Sequence, residues 1–109
     1  MAIQNTTLTT SYSSVYTSTG DSATTVIYIC NTSAPASLPL SNTIKFDLCV
    51  VPSGGTPGAS NQIYTQVEVA AQDTYIIELE KLILEDGDSL QAKDDTGSVT
   101  TVTVSYVSI

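Results

Sequence analysis

The chain has no histidine, no arginine and no tryptophan. Its basic residues are Lys45, Lys81 and Lys93, far apart in sequence. Each absence removes a class of function. Without histidine, the usual general base of enzymes is missing, and a serine nucleophile would have only lysines or carboxylates to activate it. Without clustered cations, phosphate neutralisation along a nucleic acid is excluded as an expectation. With two cysteines and no histidine, a four-ligand zinc site cannot be assembled from the ligands zinc prefers. No apolar run approaches the roughly 20 residues of a membrane helix. Charged residues make up 13% of the chain, about half the usual share.

What is present is β-forming and acidic. Eleven Asp or Glu against three Lys give a net charge of −8 over 109 residues. The polar share is carried by 14 Ser and 17 Thr. At 41% hydrophobic, the chain has more apolar material than disorder allows and enough for one core. The N-terminus, Met1-Ala2-Ile3-Gln4-Asn5-Thr6-Thr7, has neither a basic start nor an apolar stretch. It is therefore not read as a secretory signal, and synthesis in a cytoplasm is the expectation.

Alternation places the strands. Thr24–Asn31 (TTVIYICN) is β-branched and reads as buried on both faces. In Thr43–Val51, Ile44, Phe46, Leu48 and Val50 share one face, with Lys45 and Asp47 on a wet side. In Gln62–Ala70, Ile63, Val67 and Val69 point one way and Tyr64, Gln66 and Glu68 the other. Asp73–Glu80 puts Tyr75, Ile77 and Leu79 together, and Ser98–Ile109 does the same with Val102, Val104 and Tyr106. Weaker strands are expected at Ile3–Thr10, Ser13–Thr17 and Ser89–Lys93. Tyr75–Glu85 competes as an amphipathic helix, but its apolar residues cover most of the wheel, which favours strand, short turn, strand.

Turn chemistry separates these segments. Ser18-Thr19-Gly20-Asp21 and Asp86-Gly87 bend the chain, and Asp94-Asp95-Thr96-Gly97 suits a four-residue hairpin. Ser33–Asn42, with Pro35 and Pro39, is a loop. Pro52–Gly58 holds two Pro and three Gly in seven residues and reads as the most flexible loop. The expected fold is all-β: one antiparallel β-sandwich or small barrel of about seven or eight short strands spanning residues 1–109, with an extended N-terminal segment at 1–12.

No catalytic, cofactor-binding or metal residues are assigned. Glu85-Asp86-Gly87-Asp88 has oxygens that suit Ca²⁺, yet lacks the spacing of a calcium loop and is also ordinary turn chemistry. Asp94-Asp95 reads as a pair of solvated turn carboxylates. Glu78 and Glu80 form a carboxylate pair, explained as well by charge guarding a sheet edge. Cys30 and Cys49 read as small buried hydrophobes, with a disulfide open only if their strands are neighbours. Tyr12, Tyr16, Tyr28, Tyr64, Tyr75 and Tyr106 are dispersed through strands rather than gathered as a sugar platform. The sequons at Asn5 and Asn31 are expected by chance in so Ser/Thr-rich a chain. Gly54-Gly55-Thr56-Pro57-Gly58 lacks the ending of a phosphate loop.

The most distinctive string is Val51-Pro52-Ser53-Gly54-Gly55-Thr56-Pro57-Gly58-Ala59-Ser60-Asn61-Gln62-Ile63-Tyr64. With Asn5–Thr10 and Val15-Tyr16-Thr17, VIYICNTS at Val26–Ser33, TYIIELEKLILEDGDSLQ at Thr74–Gln91 and VTVSYVSI at Val102–Ile109, it resembles small virion structural proteins of tailed bacteriophages, including those of cyanophages. Ala34–Ser41 looks like a local insertion in that pattern. The resemblance implies a non-enzymatic β-sandwich that assembles as a homo-oligomer on the particle, with no cofactor, membrane or nucleic acid. Capsid decoration (cement) on the major capsid protein is the first expectation, and a neck, tail or baseplate part the second. A carbohydrate- or receptor-binding sandwich is the alternative from a different class. The implied location is the virion, and the host cytoplasm during assembly. Segment 1–12 and the Ser33–Asn42 loop are the expected contact arms.

Overall fold

The computed structural model describes residues 2–34 and 42–109. Eight strands follow one another: β1 (Ala2–Thr7), β2 (Ser13–Thr17), β3 (Ser22–Asn31), β4 (Ile44–Val51), β5 (Gln62–Val69), β6 (Thr74–Leu84), β7 (Ser89–Asp94) and β8 (Thr100–Ser108). A single 3₁₀ turn, Ala59–Asn61, precedes β5. The strands form two four-stranded sheets, β1-β8-β3-β6 (sheet A) and β2-β7-β4-β5 (sheet B), with every pairing antiparallel. The chain changes sheet at almost every connection, and only β4 and β5 are joined within one sheet. This is the strand order of a jelly roll, a sandwich of two interlocked Greek keys.

Both inner faces are apolar. Ile27, Ile29, Ile77, Val102 and Val104 of sheet A meet Val15, Ile44, Phe46, Leu48, Leu90 and Ala92 of sheet B, all buried. Phe46 stands in the middle, with the rings of Tyr75 and Tyr64 at 5.6 and 6.3 Å between centroids. Burying each such side chain contributes on the order of 2 kcal/mol, so the two faces close on each other. Tyr16 and Tyr106 stack at 4.3 Å towards one end of this core.

Several expectations change once neighbours are known. Ile63 does not share a face with Val67 and Val69: it is exposed, and Tyr64 packs against the core instead. The cause is a bulge. Phe46 pairs with Val67 and Leu48 with Tyr64, so Asp47 alone faces both Thr65 and Gln66. Gln66 takes a positive φ of 52°, and the extra residue reverses the alternation. Asp94–Gly97 is not a hairpin, because β7 and β8 belong to different sheets; it carries the chain from one to the other. Tyr75–Glu85 is neither helix nor two strands. It is the single strand β6, with a register shift where Thr24 pairs with Leu82 and Val26 with Glu78. β3 is buried on its inner side only, since Tyr28 on the other side is exposed.

Of the expected extended segment 1–12, residues 2–12 are tied into both sheets. Ala2–Thr7 pairs with Thr101–Tyr106, Leu8 is fully buried, and Asp94 N–H donates to the Thr9 carbonyl at 3.0 Å. It serves as an edge strand and a crossover. Of the expected contact loop Ser33–Asn42, residues 35–41 lie outside the described residues. Pro52–Asn61 folds back over sheet B, held by Gly55 N–H to Pro52 O (2.8 Å), Gly58 N–H to Asn61 Oδ1 (3.0 Å) and Asn61 Nδ2 to Thr56 O (3.0 Å).

Candidate functional site

Four of the carboxylates that sequence singled out, Asp86, Asp88, Asp94 and Asp95, are engaged within the fold. Asp88 accepts from two backbone amides, Ser53 N–H at 2.9 Å and Glu85 N–H at 3.0 Å, one on each carboxylate oxygen. Asp86 accepts from Gly20 N–H at 2.8 Å. Glu85-Asp86-Gly87-Asp88 is therefore the knot that ties β6–β7 to two neighbouring loops. Gly87 has a φ of +88°, and a Cβ there would come within 2.5 Å of Ser53 Oγ. Asp94 is buried and accepts from Gly97 N–H (2.7 Å) and Thr100 Oγ1 (2.6 Å), while Asp95 accepts from Lys45 N–H at 3.1 Å. Asp94 is therefore buried rather than solvated, while Asp95 is exposed as expected and caps Lys45 N–H from the surface. Glu78 is exposed on β6, and the Glu80 side chain lies outside the described ones. Among the described residues no group of three or more Asp, Glu or Cys is arranged to hold a metal ion.

The two cysteines are free and sit in different sheets. Cys49 is buried beneath the Pro52–Asn61 loop, its thiol 3.7 Å from Gly58 O. Cys30 is half-buried on the outer side of sheet A.

The tyrosines do not build a stacking platform either. Tyr16 donates its hydroxyl to Ser22 Oγ at 2.8 Å in the interior, and Tyr64 and Tyr75 belong to the Phe46 cluster. Tyr12 lies under Lys93 Nζ, 4.8 Å from the ring centroid, and its hydroxyl accepts from Gln62 Nε2 at 2.8 Å. Burial, with the Cys49 thiol alongside, pushes the Tyr12 phenol above its ordinary pKa. A recess of about 310 Å³ opens beside Tyr16 and Tyr106, edged by Gln4, Thr17, Thr19 and Ser108. A second, of about 200 Å³, lies on sheet B and is filled with ion pairing: Asp47 accepts from Gln66 N–H at 2.7 Å and faces Lys93 Nζ at 3.9 Å.

The outer side of sheet A has no such engagement. Five of the seven large hydrophobic residues exposed among the described residues lie there: Ile3, Tyr28, Ile76, Ile83 and Val107, from 38 to 65% accessible. Pairing brings them together from four strands. Val107, Ala23 and Ile83 stand abreast at one end. Asn5, Thr103, Tyr28 and Ile76 form a second row. Ile3, Ser105, Val26 and Glu78 form a third row between them. Glu78 is the one carboxylate in these rows.

Against protein-family models, curated proteins and solved structures, the chain matches nothing. Its function is therefore argued from its own geometry. Asp86, Asp88, Asp94 and Asp95 accept from the protein's own backbone, while the described outer rows of sheet A present mostly apolar and neutral side chains, with Glu78 among them. Such an arrangement can bind a surface. It holds no nucleophile beside a base and no converging carboxylates aimed at a substrate among the described residues.

Proposed function

We propose that this chain is a non-enzymatic structural protein of a tailed-phage virion, a decoration protein that binds the head surface in multiple copies. The observation that carries the reading is the outer face of sheet A. An apolar patch gathered on one side of a small domain is the usual mark of an interaction surface. The jelly-roll strand order supports it, since that architecture is widely used in viral shells, although it also serves lectins and enzymes. The charge of −8 supports it as well: free copies repel and stay soluble until a symmetric shell offers many weak contacts at once. The sequence resemblance supplies the particle.

Co-sedimentation with purified capsids lacking this protein tests the proposal. Saturable binding at a fixed ratio to the major capsid protein is expected. Binding to tails or necks alone would move the protein to those structures. Pelleting with none of these particles would remove the virion reading. A monosaccharide screen read by chemical shifts around the recess at Tyr16 and Tyr106 tests the carbohydrate alternative.

A further inference from the structure

We infer that β1 is a releasable arm: Ala2–Thr7 leaves the edge of β8 while the other strands stay folded, and Leu8 is the fixed point about which it turns. The inference stands whether or not the chain belongs to a particle.

The first observation is what β1 gives to the core. Every other strand places at least one side chain in the buried apolar cluster, from Val15 and Tyr16 of β2 to Val102 and Val104 of β8. β1 places none. Its register sets Gln4 beside Val104 and Thr6 beside Val102, so the side chains it turns inward are an amide and a hydroxyl, both only half-buried. Its large apolar side chain, Ile3, is 65% exposed on the outer side. Apolar burial is the main term that offsets the entropy lost when a strand is ordered, and β1 lacks it.

The second observation is how β1 is held. It is an edge strand, and β8 is its one ladder partner. Beyond the ladder, Thr103 Oγ1 donates to Asn5 Oδ1 at 2.8 Å, an exposed bond. All of these are hydrogen bonds at a wet edge, which water can replace when the strand lifts. The other edge strands differ. β2 is fastened by Val15 and Tyr16, β5 by Val69, and β6 by Ile77 and Leu84.

The third is where the release stops. Leu8 is fully buried, its N–H donates to Thr100 O at 2.8 Å, and its carbonyl accepts from Ser98 N–H at 3.0 Å. Asp94 N–H then holds the Thr9 carbonyl at 3.0 Å. β8 itself stays in place, because its other side pairs with β3 from Thr100 to Ser108 and its Val102 and Val104 are core residues. Once free, Ala2–Thr7 can extend about 20 Å from Leu8. The same step leaves Thr101–Tyr106 with unpaired backbone groups, a template on which another extended strand can pair.

Native-state hydrogen exchange of the full chain, read residue by residue by NMR in rising sub-denaturing urea, is the test. After correction for intrinsic rates, the β1 amides that pair with β8 should exchange about a hundredfold or more faster than those of Ile27 and Ile29 in β3. Their rates should depend little on urea, because lifting one edge strand exposes little surface. The Leu8 and Asp94 amides should stay with the slow set. Gln4→Leu gives the strand an inward apolar side chain beside the Tyr16 and Tyr106 rings, and should slow the β1 amides about fivefold.

β1 amides that exchange with the rate and urea slope of Ile27 and Ile29 overturn the inference, since the strand would then open only with the whole fold. A Leu8 amide as fast as those of β1 overturns it as well, because the opening would not stop at that residue. So does an unchanged β1 rate in Gln4→Leu, which would mean that the inward side chains do not govern release. Capsid binding has no bearing on these rates, so this inference and the virion reading can each fail alone.

Discussion

The two sheets present opposite kinds of outer surface. Sheet B is finished by its own chain: the Pro52–Asn61 loop covers Cys49 and Val51, and Lys93 spans Asp47 and the Tyr12 ring. Its polar groups are used to fix a bulge and hold a loop. Sheet A has no covering segment among the described residues, and its outer rows carry isoleucine, tyrosine and threonine. Both outer faces alternate with the same shared core. What separates them is whether the side chain has something of its own to meet. Polar residues on one sheet are engaged by the fold, and apolar residues on the other meet no described segment of their own chain.

That contrast predicts where substitutions cost stability. Asp47 is 4% exposed and is the acceptor that holds the Gln66 amide in its positive-φ bulge. Asp47→Ala leaves that N–H without its partner and Lys93 without its counter-charge, so a loss of about 2–3 kcal/mol is expected. A urea titration would read it as a lower midpoint at unchanged slope. A loss below about 0.5 kcal/mol would mean that the sheet B network is ornamental, and the contrast would fail on that side.

Asp88 gives a smaller effect at the end of the sandwich. Asp88→Ala removes the acceptor for Ser53 N–H and Glu85 N–H, both exposed enough for water to replace part of the loss. About 1–2 kcal/mol is expected. Because both oxygens already face amides, millimolar Ca²⁺ should leave the melting temperature of the wild-type chain where it is; a rise of several degrees would restore the cation reading of Asp86 and Asp88.

Sheet A should behave in the opposite way. Tyr28→Thr and Ile76→Thr keep strand-forming side chains at exposed positions, so monomer stability measured at low micromolar concentration should change by no more than about 0.5 kcal/mol. If either costs as much as Asp47→Ala, the face is part of the fold rather than a surface left for assembly.

The sequence shows this contrast only in part. The alternation of Ile44, Phe46 and Leu48, the turns at Gly20, Asp86-Gly87 and Gly97, and the all-β character are visible in the residues themselves, because period and turn chemistry are local. Neighbours are not local. Ile63 is exposed because an extra residue three positions later reverses its strand, and nothing near Gln66 in sequence announces it. Asp47 alternates with the apolar set as a wet residue should, yet it is buried by a lysine 46 positions further on and by that same bulge. The string Val26-Ile27-Tyr28-Ile29 has apolar residues for both sides, so sequence cannot tell a strand covered on both faces from one covered on its inner face alone. The candidate surface draws on residues 3, 28, 76, 83 and 107, and becomes a patch only when sheet order sets β1, β8, β3 and β6 side by side.

The smallest effect concerns pH, and it probes the finished face through Tyr12. Burial disfavours its phenolate, and the Cys49 thiol adds to the shift, so the folded chain holds that proton more tightly than the unfolded chain. A raised folded-state pKa contributes stability that is fully present below the unfolded value, near 10.0, and is lost as pH climbs through the folded value. The urea midpoint should therefore fall as pH rises above about 10, where the Tyr12 phenol ionises on unfolding. Tyr12→Phe removes that group, so its midpoint should fall less steeply than that of the wild type over the same range. Equal slopes for Tyr12→Phe and the wild type would show that Tyr12 is open to water in the folded chain, and that sheet B is no better covered than sheet A.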